Sequence, residues 1–262
     1  VASRAIDLFA PIGKGQRALV IAPPRAGSTP LLVRMARAIE TNNPGTHVIV
    51  LLIDERPEAV THLQRTLDTE VVATTFEEHP ENSVTAAELV FERAKRLVEL
   101  GQDVVVLVES FTRLVKAYAS SAHHKGALGT IDPAMLQRPK RLFGAARAVE
   151  GGGSLTVLAT VGAGSSAFDT LIIEEFAPAS NAELILSRAL ADARAYPPVD
   201  LIRSGNFYEE QLLSEIAMHK IGDLRRTLSG VSTVEASERI YTALGRTQTN
   251  EEFVTKFDLS KV

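Results

Sequence analysis

Four short stretches of this chain, residues 48–53, 71–74, 104–108 and 155–160, are rich in β-branched residues and apolar at odd and even positions alike. A strand with one solvated face alternates in polarity. A strand apolar throughout is buried on both faces, as in parallel sheets whose crossover helices cover both sides. Helical periodicity fills the gaps, over residues 31–40, 57–67, 84–100 and 133–149. This alternation predicts an α/β fold, a mostly parallel sheet with helices on both faces. Gly151-Gly152-Gly153 reads as a flexible joint before the last run. From about residue 206 to residue 262 the chain reads as a helical tail, with Gly222 and Gly230 as breaks. No low-complexity linker interrupts it, so one domain over residues 1–262 is expected.

The segment that carries chemistry follows an apolar run, Leu19-Val20-Ile21-Ala22, and opens into the first helical stretch. Its residues are Pro23, Pro24, Arg25, Ala26, Gly27, Ser28, Thr29 and Pro30. Strand, Pro/Gly loop and helix in this order are the frame of a phosphate-binding P-loop. In such a loop backbone N–H groups cradle the phosphates, a Lys reaches the terminal ones and a hydroxyl holds Mg²⁺. Gly27 and Thr29 stand where the Gly and the hydroxyl belong, but the Lys position holds Ser28. The plainer reading is an ordinary strand-to-helix turn. The helix N-terminus still offers unpaired N–H groups and a positive dipole end to an anion, and Pro30 is tolerated in a first turn. Arg25 is the nearby candidate for a substitute cation, although a planar guanidinium is not equivalent to a compact ammonium.

Acids follow two of the apolar runs. In Ile53-Asp54-Glu55-Arg56-Pro57-Glu58, Glu55 is placed to orient an attacking water and Arg56 to stabilise charge on a phosphate. The competing reading is that these charges cap the helix starting near Pro57. Residues 104–108 end in Glu109, the shape of a Walker B strand whose acid holds Mg²⁺ through water. Glu is one methylene longer than the usual Asp, a shift against the near-octahedral demands of Mg²⁺.

Composition narrows the function classes. The hydrophobic share of 45% and charged share of 23% are those of an ordinary globular chain. No apolar run approaches the ~18 residues of a membrane span, and no secretory leader is legible, so a cytoplasmic chain without membrane contact is expected. Zero Cys excludes disulfides and thiolate chemistry. A net charge of -4 lacks the basic footprint of a duplex-DNA binder.

Several longer strings now add a resemblance. Asp7-Leu8-Phe9-Ala10-Pro11-Ile12-Gly13-Lys14-Gly15-Gln16-Arg17, the Ala-Pro-Pro loop, and Leu51-Leu52-Ile53-Asp54-Glu55-Arg56-Pro57-Glu58 occur in order. Ser110-Phe111-Thr112-Arg113-Leu114, then residues 138–147, Glu174-Glu175-Phe176 and residues 247–253 follow. Together they resemble the ATPase half of the bacterial transcription termination factors of the Rho family over nearly the whole chain. The family's RNA-binding half, an OB-fold domain, has no counterpart in these residues.

The resemblance implies a RecA-like P-loop NTPase fold, ATP with Mg²⁺ at a subunit interface, and RNA-dependent ATP hydrolysis driving translocation in transcription termination. It further implies a hexameric ring with single-stranded RNA in its channel, and contact with the transcription machinery. By the same resemblance Glu55 is the water-activating acid and Arg56 its neighbour at the phosphates. Arg188 and Arg203 belong to the subunit interface, Arg203 as the arginine finger. Thr29 and Glu109 are the metal-side residues. RNA contacts fall on Lys125 and Gly129 in one channel loop and on Ser166 and Ala167 in the other.

Three departures stand against full activity: Ser28 for Lys, Glu109 for Asp, and a channel loop over residues 161–169 that is one residue shorter, with Ala167 for Lys. These imply impaired nucleotide and RNA sites with weak RNA binding. The alternative is a catalytically dead Rho-like paralogue acting through protein contacts. The adjacent His123 and His124 read as solvated side chains rather than metal ligands.

Overall fold

The computed structural model describes residues 1–121, 133–164 and 166–256. Eight strands form one sheet: β1 (Arg17–Ala22), β2 (His47–Glu55), β3 (Glu70–Thr75), β4 (Asp103–Glu109), β5 (Arg147–Ala148), β6 (Ser154–Gly162), β7 (Ala182–Ile185) and β8 (Gly205–Asn206). Their order is β3-β2-β4-β6-β1-β7-β8, with β5 on the side of β6. Every pairing from β3 through β7 is parallel, whereas β8 runs antiparallel to β7 and β5 antiparallel to β6. The four apolar runs are β2, β3, β4 and β6, which sit side by side; β2, β4 and β6 are buried, whereas β3 is the edge strand and buries only Thr74, so the run at residues 71–74 is not covered on both faces.

Alternation along each strand divides the core in two. Val48, Val50 and Leu52 of β2, with Val105 and Leu107 of β4, enter one core. Ile49, Leu51 and Ile53, with Val104, Val106 and Val108, enter the other. The first core is closed by α1 (Ala2–Phe9), α2 (Ser28–Asn42) and α3 (Pro57–Thr66), and by the tail helices α9 (Glu215–Leu228), α10 (Thr233–Gly245) and α11 (Asn250–Lys256). The second is closed by α4 (Pro80–Glu99), α5 (Phe111–Ser121), α6 (Gln137–Phe143) and α7 (Ala167–Phe176). A short α8 (Arg188–Asp192) follows β7. In the second core the rings of Phe111 and Phe176 meet at 4.9 Å between centroids, with Phe143 5.8 and 5.9 Å from them. Truncating such a ring to Ala costs about 3–5 kcal/mol. On the other face, Arg4 of α1 donates to Asn250, Leu244, Thr247 and Thr249, tying the start of the chain to its helical tail.

Three expectations change. Residues 133–149 are not one helix: a 3-10 turn (Pro133–Leu136) leads into α6, which stops at Gly144, and Arg147–Ala148 become β5. The backbone there is claimed by Leu155 and Ser154 of β6, and long-range pairing overrides local period. Gly222 does not break the tail but lies inside α9, where a Gly costs about 1 kcal/mol relative to Ala. Gly153 is no flexible joint: a Cβ on it would stand 2.0 Å from the Gln102 carbonyl oxygen, so the strand entry needs its missing side chain.

Candidate nucleotide site

The C-terminal ends of β1, β2, β4 and β6 open on the same edge of the sheet, where open α/β sheets gather ligands. From β1 the chain turns through Pro23 and Pro24 to Gly27, whose φ of 88 lies in the left-handed region and lets α2 start at Ser28. Among the described residues six helices carry a side-chain cap: Ser110, Ser166, Ser187, Ser214, Ser232 and Thr249 accept from the first turns of α5, α7, α8, α9, α10 and α11. The first turn of α2 has none. Its first returning bond runs from Leu31 N–H to the Gly27 carbonyl at 3.2 Å, so the N–H groups of Ser28 and Thr29 are unpartnered among the described residues. That is the donor set a phosphate takes at a helix N-terminus.

Two of the sequence departures touch each other. The Ser28 hydroxyl donates to Glu109 Oε1 at 3.2 Å. Glu109 ends β4 and is only 5% exposed. Its Oε2 is buried without a hydrogen-bond partner. Burial pushes this carboxyl above the usual range, and the negative charge of Glu55 adds to the push. The hydroxyls of Thr160 and Ser28 and the Arg113 guanidinium act in the opposite direction. The Thr160 hydroxyl itself is committed to the Val108 carbonyl at 3.2 Å.

Glu55 closes β2. Its Oε2 accepts from Arg113 at 2.8 Å, and the same guanidinium nitrogen donates to the carbonyls of Asp54 at 2.8 Å and Ile53 at 3.1 Å. Glu55 Oε1 accepts the Arg56 N–H at 3.2 Å, but no side chain caps the first turn of α3, where Glu58 is the acidic residue. Arg113 was legible only as one letter of a longer string. The signal is its place in the first turn of α5, three residues after Ser110, whose hydroxyl accepts the Arg113 N–H at 3.2 Å.

The remaining candidates scatter around this core. Arg188 donates to the Pro24 carbonyl at 2.9 Å and to Asp192 at 2.8 Å, so it braces the loop between β1 and α2 of its own chain. Arg25, Arg56 and Arg203 are exposed, and their side chains make no hydrogen bond or ion pair among the described residues. Arg25 thus stays outside the Ser28–Glu109 contact. Ala26 is buried and Pro30 exposed. Lys125 and Gly129 lie outside the described residues, as do His123 and His124. In the other loop Ser166 caps α7 by accepting from Asp169 N–H at 3.1 Å, and Ala167 is exposed. The Asp169 carboxylate lies close to Gly162 and Gly164. Lys140, a candidate channel cation, pairs with Glu175.

Among the described residues no three His, Cys, Asp or Glu side chains converge on a metal position. The donor set nonetheless fits a metal held mainly by phosphate oxygens. Thr29 brings a hydroxyl, and the partnerless Oε2 of Glu109 is an acceptor for a metal-bound water.

A mostly parallel sheet, helices on both faces and a phosphate loop after the first strand make this the RecA-like P-loop ATPase fold. The chain belongs to the ATP synthase alpha/beta family, nucleotide-binding domain, which matches residues 2–205. Within that class it is similar to transcription termination factor Rho. It is 50% identical to Rho of Pseudomonas aeruginosa, over 95% of this chain and 60% of that protein. With Rho of Micrococcus luteus the identity is 48%, over 97% of this chain and 37% of that protein. The chain therefore spans from 37% to 60% of the length of these relatives. Among solved structures, a prototypical ATPase from the type III secretion system of pathogenic bacteria superposes with a TM-score of 0.81. That likeness covers 96% of this chain and 82% of the other at 18% identity, a likeness of fold.

Proposed function

We propose that this chain is the ATP-binding motor domain of a Rho-type, RNA-dependent ATPase acting in transcription termination, with weakened phosphate and RNA contacts. The observation that carries the reading is the pairing of an uncapped α2 N-terminus with a Glu55 carboxylate held by Arg113 on the same edge of the sheet. The N–H groups of Gly27, Ser28 and Thr29 take the phosphates. Glu55 orients the attacking water and accepts its proton, while Arg113 keeps the carboxylate in place. Arg56 lies next to the same phosphates. Mg²⁺, when bound, neutralises phosphate charge, with Thr29 and Glu109 as its protein-side contacts. Arg203, exposed and unpaired, serves the nucleotide of a neighbouring copy in a ring, hexameric by analogy with Rho, whose channel takes single-stranded RNA weakly.

The contact between Ser28 and Glu109 favours a second reading. The lysine that would counter the phosphate charge is missing, and its replacement hydroxyl is spent on the buried acid. A chain of this kind holds nucleotide without turning it over and acts in a ring or on the transcription machinery as a silent partner.

One experiment separates the readings. ATP binding and phosphate release are measured with and without oligo-cytidine RNA, for the parent chain and for Glu55→Gln. Slow, RNA-stimulated release that Glu55→Gln removes, with binding retained, supports the motor. Binding with no release in either chain supports the silent partner. No binding overturns both.

A further inference from the structure

At the opposite edge of the sheet a cavity of ≈ 230 Å³ lies between α1, α2 and the first residues of β4 and β6. Asp103, the first residue of β4, lines it, whereas Glu109, the last, lies in the nucleotide site. Seven residues of extended strand separate the two sites by roughly 20 Å. The floor of the cavity is apolar, made by Ile6, Ile12, Met35, Ile39, Val105 and Leu158.

Its rim is charged, and the charges differ in how far they are committed. Arg4 donates five hydrogen bonds within the chain, to Asn250, Leu244, Thr249 and both oxygens of Thr247. Asp103 accepts on both oxygens, from Lys14 at 2.5 Å and from the Ser154 hydroxyl at 2.6 Å. Lys14 makes that one bond, is 62% exposed, and keeps two ammonium hydrogens free. Asp7 accepts on Oδ2 from Asn250 at 3.1 Å and keeps Oδ1 unpartnered among the described residues. The rim therefore offers one open cationic donor and one open anionic acceptor above an apolar floor.

We propose that this cleft is a ligand site for an apolar α-amino acid, its side chain on the floor, its carboxylate on Lys14 and its ammonium on Asp7. The volume of ≈ 230 Å³ lies below the ~300–1,000 Å³ of drug-sized pockets and suits a ligand of amino-acid size. Both ligand charges meet an opposite charge, whereas a ligand bearing one of them leaves half of the rim unanswered.

The test is a two-dimensional NMR titration of the ¹⁵N-labelled chain with L-phenylalanine, 3-phenylpropionate and phenethylamine. Phenylalanine is expected to bind more tightly than either singly charged analogue, with saturable shifts at residues 3–14, 35–46 and 103–105. Lys14→Ala should weaken phenylalanine about tenfold, to the level of phenethylamine, and Asp7→Asn should bring it to the level of 3-phenylpropionate. Ala38→Trp, which fills the cleft, should abolish all three. The Lys14 and Asp7 variants change exposed side chains and keep the test decisive if Ala38→Trp does not fold. Absence of saturable shifts, shifts centred elsewhere, or an analogue ranking unmoved by both charge variants overturns the proposal.

Discussion

At position 28 a hydroxyl stands where a phosphate loop ordinarily carries an ammonium, and it is bonded to a carboxyl that burial holds above its usual range. Ser28→Lys should return a cation to both the phosphates and the partnerless oxygen of Glu109. ATP affinity is expected to rise at least tenfold, about 1.4 kcal/mol, in equilibrium titration with a fluorescent ATP analogue. An unchanged affinity would show that something other than the missing cation limits the site.

Arg113 makes a separate prediction. Arg113→Gln removes the fork that holds Glu55 to the backbone of β2, so any phosphate release should fall at least tenfold while ATP affinity stays within about twofold. Equal losses in both would assign Arg113 to binding instead.

A third residue-scale effect concerns acid stability. The hydrogen bond from Lys14, followed by that from Ser154, holds the Asp103 carboxyl below the usual carboxylate range. A depressed folded-state value means that Asp103 adds stability above its unfolded pKa of about 3.9. That stability is lost as pH falls through the folded value. Asp103→Asn should therefore lower the denaturation midpoint at pH 7 and lose that difference as pH falls through the folded-state value in urea melts. A difference independent of pH would assign the loss to packing.

At the scale of elements, the contrast among helix starts has consequences for stability. Among the described residues five Ser caps and one Thr cap satisfy first-turn donors, whereas α2, like α1, α3, α4 and α6, has no side-chain cap and leaves its donors open beside Gly27. Ser232→Ala should cost about 1 kcal/mol in chemical denaturation, as cap removal ordinarily does. Most elements were legible because strand and helix periods in β2, β4, β6, α2, α3 and α4 agree with their burial. The misreading at residues 133–149 has a physical cause. Arg147 and Ala148 carry no strand period of their own and become β5 through pairing with β6, a contact that no local pattern encodes.

At the scale of the whole molecule, Arg203 and the loop over residues 161–169 are the places where the proposed ring can be tested. Arg203 is exposed and its side chain is unpaired among the described residues, which leaves it available for the contact with another copy proposed above. Arg203→Ala should shift the sedimentation profile toward smaller species in analytical ultracentrifugation. A parent chain monomeric at every accessible concentration would remove the shared nucleotide site as well. Lys140 is engaged by Glu175, and Ala167 and Asp169 bring no cation to the loop. Each phosphate neutralised on a single strand contributes about -0.7 to the log–log salt slope, so a protomer with one or two contacts should show a shallow dependence. Steep, tight binding of oligo-cytidine RNA by a monomer would contradict this.

The sequence by itself determined the α/β class, the strand–loop–helix frame at residues 19–32 and the identities of Ser28, Glu55 and Glu109. Hydrophobic period and turn chemistry are local, and a chain expresses them wherever it folds. Tertiary structure decided which of those residues meet. Ser28 and Glu109 are 81 positions apart and share a hydrogen bond, and Glu55 and Arg113 are 58 apart and share an ion pair. It also decided that Arg188 braces its own loop and that an apolar cleft opens under the far ends of β4 and β6. Such contacts follow from strand order and register, which place distant segments side by side at ~4.8 Å spacing.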